Sequence, residues 1–203
     1  LMNDMQSLLQ SGNFSDVRLH CGSDVFRAHK NILSARSPVF AAMFLNPMRE
    51  SHQDFVEIQG MEPSILRKML EYIYSSKTEP LNATLACELL SAANMYQLVG
   101  LKMICIDFLR YVMCDENVLH IIKIADLYDK NLRADACKFI CNKYEILEQK
   151  QEWKMLQVEC PHIVIQIMEL KIKMLKCSEY SYPCDKEMIP INETKRKFSG
   201  NHF

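Results

Sequence analysis

Leu1, Met5, Leu8 and Leu9 recur at the spacing of a single helical face, and Ser11-Gly12-Asn13 ends the pattern, so the chain opens on an amphipathic helix. Val17, Leu19 and Cys21 then alternate with Arg18 and His20, the period of a strand with one face buried. Gly22-Ser23-Asp24 reads as a turn, and Val25 to His29 as the strand that returns from it. Two short helices follow, divided at Ser37-Pro38, because proline suits the first position of a helix. Asp54 to Ile58 predicts a further strand.

From there the apolar spacing is helical almost to the end. Glu62-Pro63-Ser64 starts a helix with Ile65, Leu66, Met69, Leu70 and Ile73 on one side. Asn82 is placed to cap the next, which carries Leu85, Leu89 and Ala93. Leu98 to Val112 sets Leu101, Ile104, Cys105, Phe108 and Leu109 inward. A second helical group starts after Cys114 with Val118, Ile121, Ile122 and Ala125. Leu132, Ala136, Phe139 and Ile140 continue it, then helices over Glu152–Val158 and Pro161–Leu175. No repeat of solenoid period is present. From Cys177 the periodicity gives way to polar residues and two prolines, the composition of a disordered tail. The organisation expected is therefore 1–113, 114–176 and a tail over 177–203.

Composition narrows the function. Of 203 residues 49% are hydrophobic and 24% charged, with a formal net charge of -1, so no long-range field draws the chain to nucleic acid or an anionic membrane. The longest uncharged run, Leu89 to Leu101, is too short to cross a bilayer. Nine cysteines occur without any C-x-x-C pair, and most sit in apolar helical runs, where free cysteine packs as a small hydrophobe. A reducing compartment follows as the expectation. The chain begins with leucine, which suggests a further domain upstream. Five glycines leave little material for phosphate-cradling loops. The motifs of nucleotide-binding proteins, serine hydrolases and zinc proteases are absent, so neither an enzyme nor a cofactor is expected.

Phe14-Ser15-Asp16-Val17, Phe26-Arg27-Ala28-His29-Lys30 and Leu33-Ser34-Ala35-Arg36-Ser37-Pro38-Val39-Phe40 together resemble the BTB/POZ family. Within it the chain looks most like the speckle-type POZ branch, whose members carry a MATH domain upstream; the helices after residue 114 are similar to a short BACK domain. The resemblance implies an α+β fold, a small mixed sheet flanked by helices, followed by an all-helical region. It implies that Asp16 and His29, at matching ends of paired strands, are close enough to hydrogen-bond and serve structure, not catalysis.

The same resemblance implies three contact surfaces. Leu1, Met5, Leu8 and Ile32 would form a homodimer interface, although such a stripe can also fold back on its own core. Met48-Arg49-Glu50 is similar to the hydrophobic-x-Glu motif of cullin adaptors. Met48 would fill a pocket on the cullin and Glu50 would orient it, with Phe44 and Tyr96 contributing nearby. Val164, Ile165, Ile167 and Met168 would serve either as core or as a second self-association face. Met168 stands where the family has an aromatic, which weighs against higher-order assembly. The expected function is a substrate-recruiting adaptor of a cullin-RING ubiquitin ligase, nuclear and/or cytoplasmic, its protein substrate held by a domain outside this chain. The alternative is a self-associating BTB scaffold or transcriptional co-regulator that binds no cullin. Cys137, Cys141, Cys160 and His162 lack the tight spacing of a zinc site, so no metal is expected. Lys195-Arg196-Lys197 is a weak nuclear-import signal, and a solvated tail is the expected reading.

Overall fold

The computed structural model describes residues 2–45, 54–78 and 80–179. Helix α1 (Met2–Ser11) leads into a hairpin of β1 (Val17–Cys21) and β2 (Asp24–Ala28). Gly22 takes φ 58 at the first central position of the two-residue turn, a left-handed geometry that glycine adopts without strain. The return strand therefore begins at Asp24, one residue earlier than the alternation suggests. β3 (Phe55–Glu57) lies parallel to β1, giving the order β2-β1-β3. It is shorter than the stretch from Asp54 to Ile58, yet both end residues still bond β1: Arg18 N–H to the Asp54 carbonyl at 2.8 Å, and Ile58 N–H to the His20 carbonyl at 2.7 Å.

Between the hairpin and β3 stand α2 (Lys30–Arg36) and α3 (Pro38–Leu45), split at Ser37 as the proline requires. The Ser37 hydroxyl accepts from Phe40 N–H at 3.2 Å, capping α3, and donates to the Tyr96 carbonyl at 2.7 Å. Helices α4 (Pro63–Ser75), α5 (Ala83–Met95) and α6 (Val99–Tyr111) complete the first core. Asn82 caps α5 through Leu85 N–H at 2.8 Å, as the sequence predicts. Leu19, Leu33, Phe40, Leu66, Met69, Leu90, Leu101 and Leu109 lie at its centre.

Helices α7 (Val118–Tyr128), α8 (Lys130–Asn142), α9 (Tyr144–Leu147), α10 (Gln151–Glu159) and α11 (Pro161–Glu179) build a second core around Trp153, Leu147, Leu156, Ile163 and Ile167. The two cores share α7. Ile121 and Ala125 face the first, while Val118, Leu119 and Ile122 face the second. A boundary at residue 113 thus divides the chain by sequence but not by packing. No helix among the described residues is long and apolar enough to cross a membrane. Helix α11 runs on to Glu179, three residues into the expected tail, and the rest of that tail, including Lys195-Arg196-Lys197, lies outside the described residues.

Candidate interaction surface

His29 is buried and both ring nitrogens are occupied: Nδ1 lies 2.7 Å from the Tyr74 hydroxyl and Nε2 lies 2.8 Å from the Asn13 carbonyl. A carbonyl only accepts, so Nε2 carries the proton and Nδ1 accepts from the Tyr74 O–H. The same hydroxyl accepts from His29 N–H at 3.0 Å, which closes the network. Burial pushes the Tyr74 phenol up to about 12, so it stays a donor at neutral pH. Asp16 is not part of this ring, which corrects the expected Asp16–His29 bond. Its Oδ1 accepts instead from Lys30 N–H at 2.7 Å, supplying the cap that His29 itself does not give α2. Asp16 and His29 therefore serve structure side by side, one anchoring a helix start and the other tying it to α4.

That anchored helix presents Ile32 beside α1. Met5, Leu9 and Ile32 pack in part against the first core, and Leu8 is half-buried. Met2 remains 49% exposed. Met2, Met5, Ile32, Ala35 and Ile73 line a largely apolar groove of about 480 Å³, edged by Asn31, Arg36 and Ser76. The α1 stripe thus does both things its spacing allowed, covering its own core and leaving an apolar rim toward solvent. Leu1 lies outside the described residues.

Met48 and Glu50 also lie outside the described residues. Phe44, near the end of α3, is half-buried, with its ring 6.0 Å from Phe40 and the Lys30 ammonium 5.8 Å from its centroid. Tyr96 is not at the surface: it is 3% exposed, its ring stacks on Phe40 at 4.7 Å, and burial raises its phenol to about 12. Its place is beneath Phe40, two rings removed from solvent, so it supports Phe44 from below.

In α11 the apolar set divides. Ile167 is buried, Val164 and Met168 pack half-buried on the second core, and Ile165 is 59% exposed, as are Ile172 and Leu175 by about half. Cys137 and Cys141 are buried in that core, and Cys141 Sγ donates to the Ile167 carbonyl at 3.5 Å. His162 instead joins Asp126 at 2.8 Å, and Asp126 also takes Arg133 at 2.9 Å. Burial on its own would raise the Asp126 carboxyl, but the His162 and Arg133 hydrogen bonds outweigh it and hold the group below its ordinary value. This cluster joins α7, α8 and α11; its members are widely spaced in sequence, and no local pattern marks them. Burial pushes the Cys87 and Cys105 thiols up to about 12, far from the activated thiolate that redox chemistry needs. Among the described residues no cluster of three or more His, Cys, Asp or Glu is placed to hold a metal ion.

A family model described as the BTB/POZ domain matches residues 5–112. TD and POZ domain-containing proteins 1 and 3 of Mus musculus are 34% and 35% identical to the chain over 180 residues, which is 88% of this chain and 49% of each relative. TD and POZ domain-containing protein 5 of Mus musculus is 36% identical over 166 residues, covering 81% and 49%. The chain spans about half the length of these curated relatives. Among solved structures, the BTB domain of zebrafish PATZ1 is similar, with a TM-score of 0.48 and 26% identity over 54% of this chain and 88% of that one. These relatives bear the TD-and-POZ name and not that of the speckle-type branch, so the family shown is BTB/POZ and the expected branch is not.

Proposed function

The chain belongs to the BTB/POZ domain family, a family of protein–protein interaction modules, and from that premise we propose that it is a self-associating adaptor that docks a cullin of a RING ubiquitin ligase. The observation that carries the reading is the apolar groove where α1 meets α2. Two copies related by a two-fold axis would each bury the other's Met2, Met5 and Ile32 there, with Leu1 and Leu8 extending the patch. In this proposal Met48 and Glu50, which follow α3 in the sequence, would make the cullin contact, with Phe44 contributing an aromatic. A segment outside this chain, a MATH domain in this proposal, would hold the protein substrate. Ubiquitin transfer would belong to other components, and the chain would act by raising effective concentration without chemistry of its own. Nuclear and cytoplasmic residence both suit this role.

Sedimentation velocity tests the first half. The chain is expected to run as a dimer, and Met5→Glu with Leu8→Glu to weaken association by about a hundredfold while the circular dichroism stays native, because each substitution enters the interface twice. A double variant that remains dimeric would exclude this face.

Titration with the N-terminal half of a cullin tests the second. Met48→Glu is expected to reduce affinity at least about tenfold, roughly 1.4 kcal/mol, by placing a charge in an apolar pocket. Unchanged affinity would leave the other reading, a BTB scaffold or transcriptional co-regulator without a cullin. The burial of Tyr96 favours that second reading, since it removes one ring from the expected docking face.

A further inference from the structure

Along the outer edge of β2, backbone and charge both lack partners among the described residues. The hairpin turn of Gly22 and Ser23 makes Cys21 and Asp24 the closing pair, and Leu19 with Phe26 and Val17 with Ala28 follow in the same phase. In an antiparallel ladder the pairs between them turn their N–H and C=O groups away from β1. Val25 and Arg27 therefore present two donors and two acceptors outward, and no backbone or side-chain group among the described residues meets them. β2 has β1 as its sole strand neighbour among the described residues.

This edge forms one wall of a groove of about 740 Å³, closed on the other sides by the end of α1 and by α4. Its charges are uneven. Arg27 stands directly across from Arg18, a like-charged pair that is unfavourable without an anion between. Neither has an ion pair among the described residues. The stem of Arg27 is held against Gly12, where an added Cβ would fall 3.0 Å from its Cδ. Arg67, from α4, lies over the Phe26 ring at 5.2 Å. Of the two carboxylates in the groove, Glu71 is already paired with Lys68 at 3.2 Å, and Asp24, which keeps its charge, sits at the turn end of β2, three residues before Arg27.

We infer that β2 accepts an extended acidic segment of a partner protein as an added strand. The partner's backbone would satisfy Val25 and Arg27. Successive side chains of a strand point to opposite faces, so two adjacent acidic residues would reach Arg27 on one side and Arg67 on the other. The surface lies on the Gln6 and Gln10 side of α1, away from the Met2–Met5 rim, and does not depend on the self-association or cullin readings.

The test uses a fluorescein-labelled decapeptide in which four alternating valine and threonine residues stand on each side of a central glutamate–aspartate pair. Fluorescence anisotropy with the unmodified chain is expected to rise and saturate. Arg27→Glu with Arg67→Glu should weaken binding at least about tenfold. Val25→Pro should do likewise, since proline removes an outward N–H without touching the ladder to β1. Should either variant fail to fold, the unmodified chain decides. A peptide N-methylated on alternate backbone nitrogens, or with two lysines in place of its acids, should not saturate. Equal binding of the N-methylated or lysine peptide, or no saturation by the acidic one up to about 1 mM, overturns the inference.

Discussion

Trp153→Ala is expected to destabilise the C-terminal helices by about 3–5 kcal/mol while leaving the sheet and α4 largely intact. Trp153 is 2% exposed in α10, with the Tyr144 ring edge-on at 5.5 Å, and Lys171 lies 3.7 Å above that same tyrosine from α11. Truncation leaves a cavity bounded by Leu147, Leu156, Ile163 and Ile167, residues that belong to the second core alone. The loss should therefore be local. Hydrogen exchange read by mass spectrometry would show α9, α10 and α11 losing protection, while β1 and α4 keep theirs. Helix α7 should lose protection only in part, since Ile122 leans on the damaged core and Ile121 on the intact one. Uniform loss of protection along the whole chain would mean that the shared helix couples the cores into a single cooperative unit.

Much of this architecture is legible in the spacing of apolar residues, because the helices lie on a core with one dominant side. In α4, Ile65, Leu66, Met69, Leu70 and Ile73 are all buried as their period predicts. Tyr72 and Tyr74 are buried too, beyond the expected stripe, because other elements close over the helix end. Short elements were harder to read. α9 has four residues, too few for a period to declare itself, whereas β3, with three, lies inside the strand expected over Asp54 to Ile58. The side-chain partners of the candidate site escaped altogether, since the bonds that matter span long separations: His29 reaches Tyr74 across 45 residues. Asp16 sits opposite His29 in strand register, yet a helix start offers it an unpaired N–H and the positive end of a dipole, which wins over the imidazole. Tyr96 misled for a related reason. The family resemblance alone assigned it to the docking face, but the bond from the Ser37 hydroxyl to the Tyr96 carbonyl ties that turn to the start of α3, and the ring stacks inward on Phe40.

Replacing His29 with alanine is expected to cost about 3 kcal/mol of stability, and Tyr74→Phe about 2 kcal/mol, each measurable by urea denaturation at neutral pH. The two are unequal for a physical reason. Alanine at position 29 removes both ring bonds and leaves a void, while the Tyr74 hydroxyl keeps its bond from His29 N–H. Phenylalanine at position 74 keeps the volume but orphans two buried groups, Nδ1 and the backbone N–H of His29. Because both substitutions break the same contact, the double variant should fall short of their sum by about 1–2 kcal/mol. Strict additivity would show that the histidine is held by packing and that its hydrogen bonds are incidental. The consequence reaches the surface as well. His29 ties the start of α2 to α4 through Tyr74, and α2 carries Ile32 into the groove beside Met5, so His29→Ala should loosen self-association at temperatures where the domain is still folded. Loss of stability with unchanged association would separate the network from the interface.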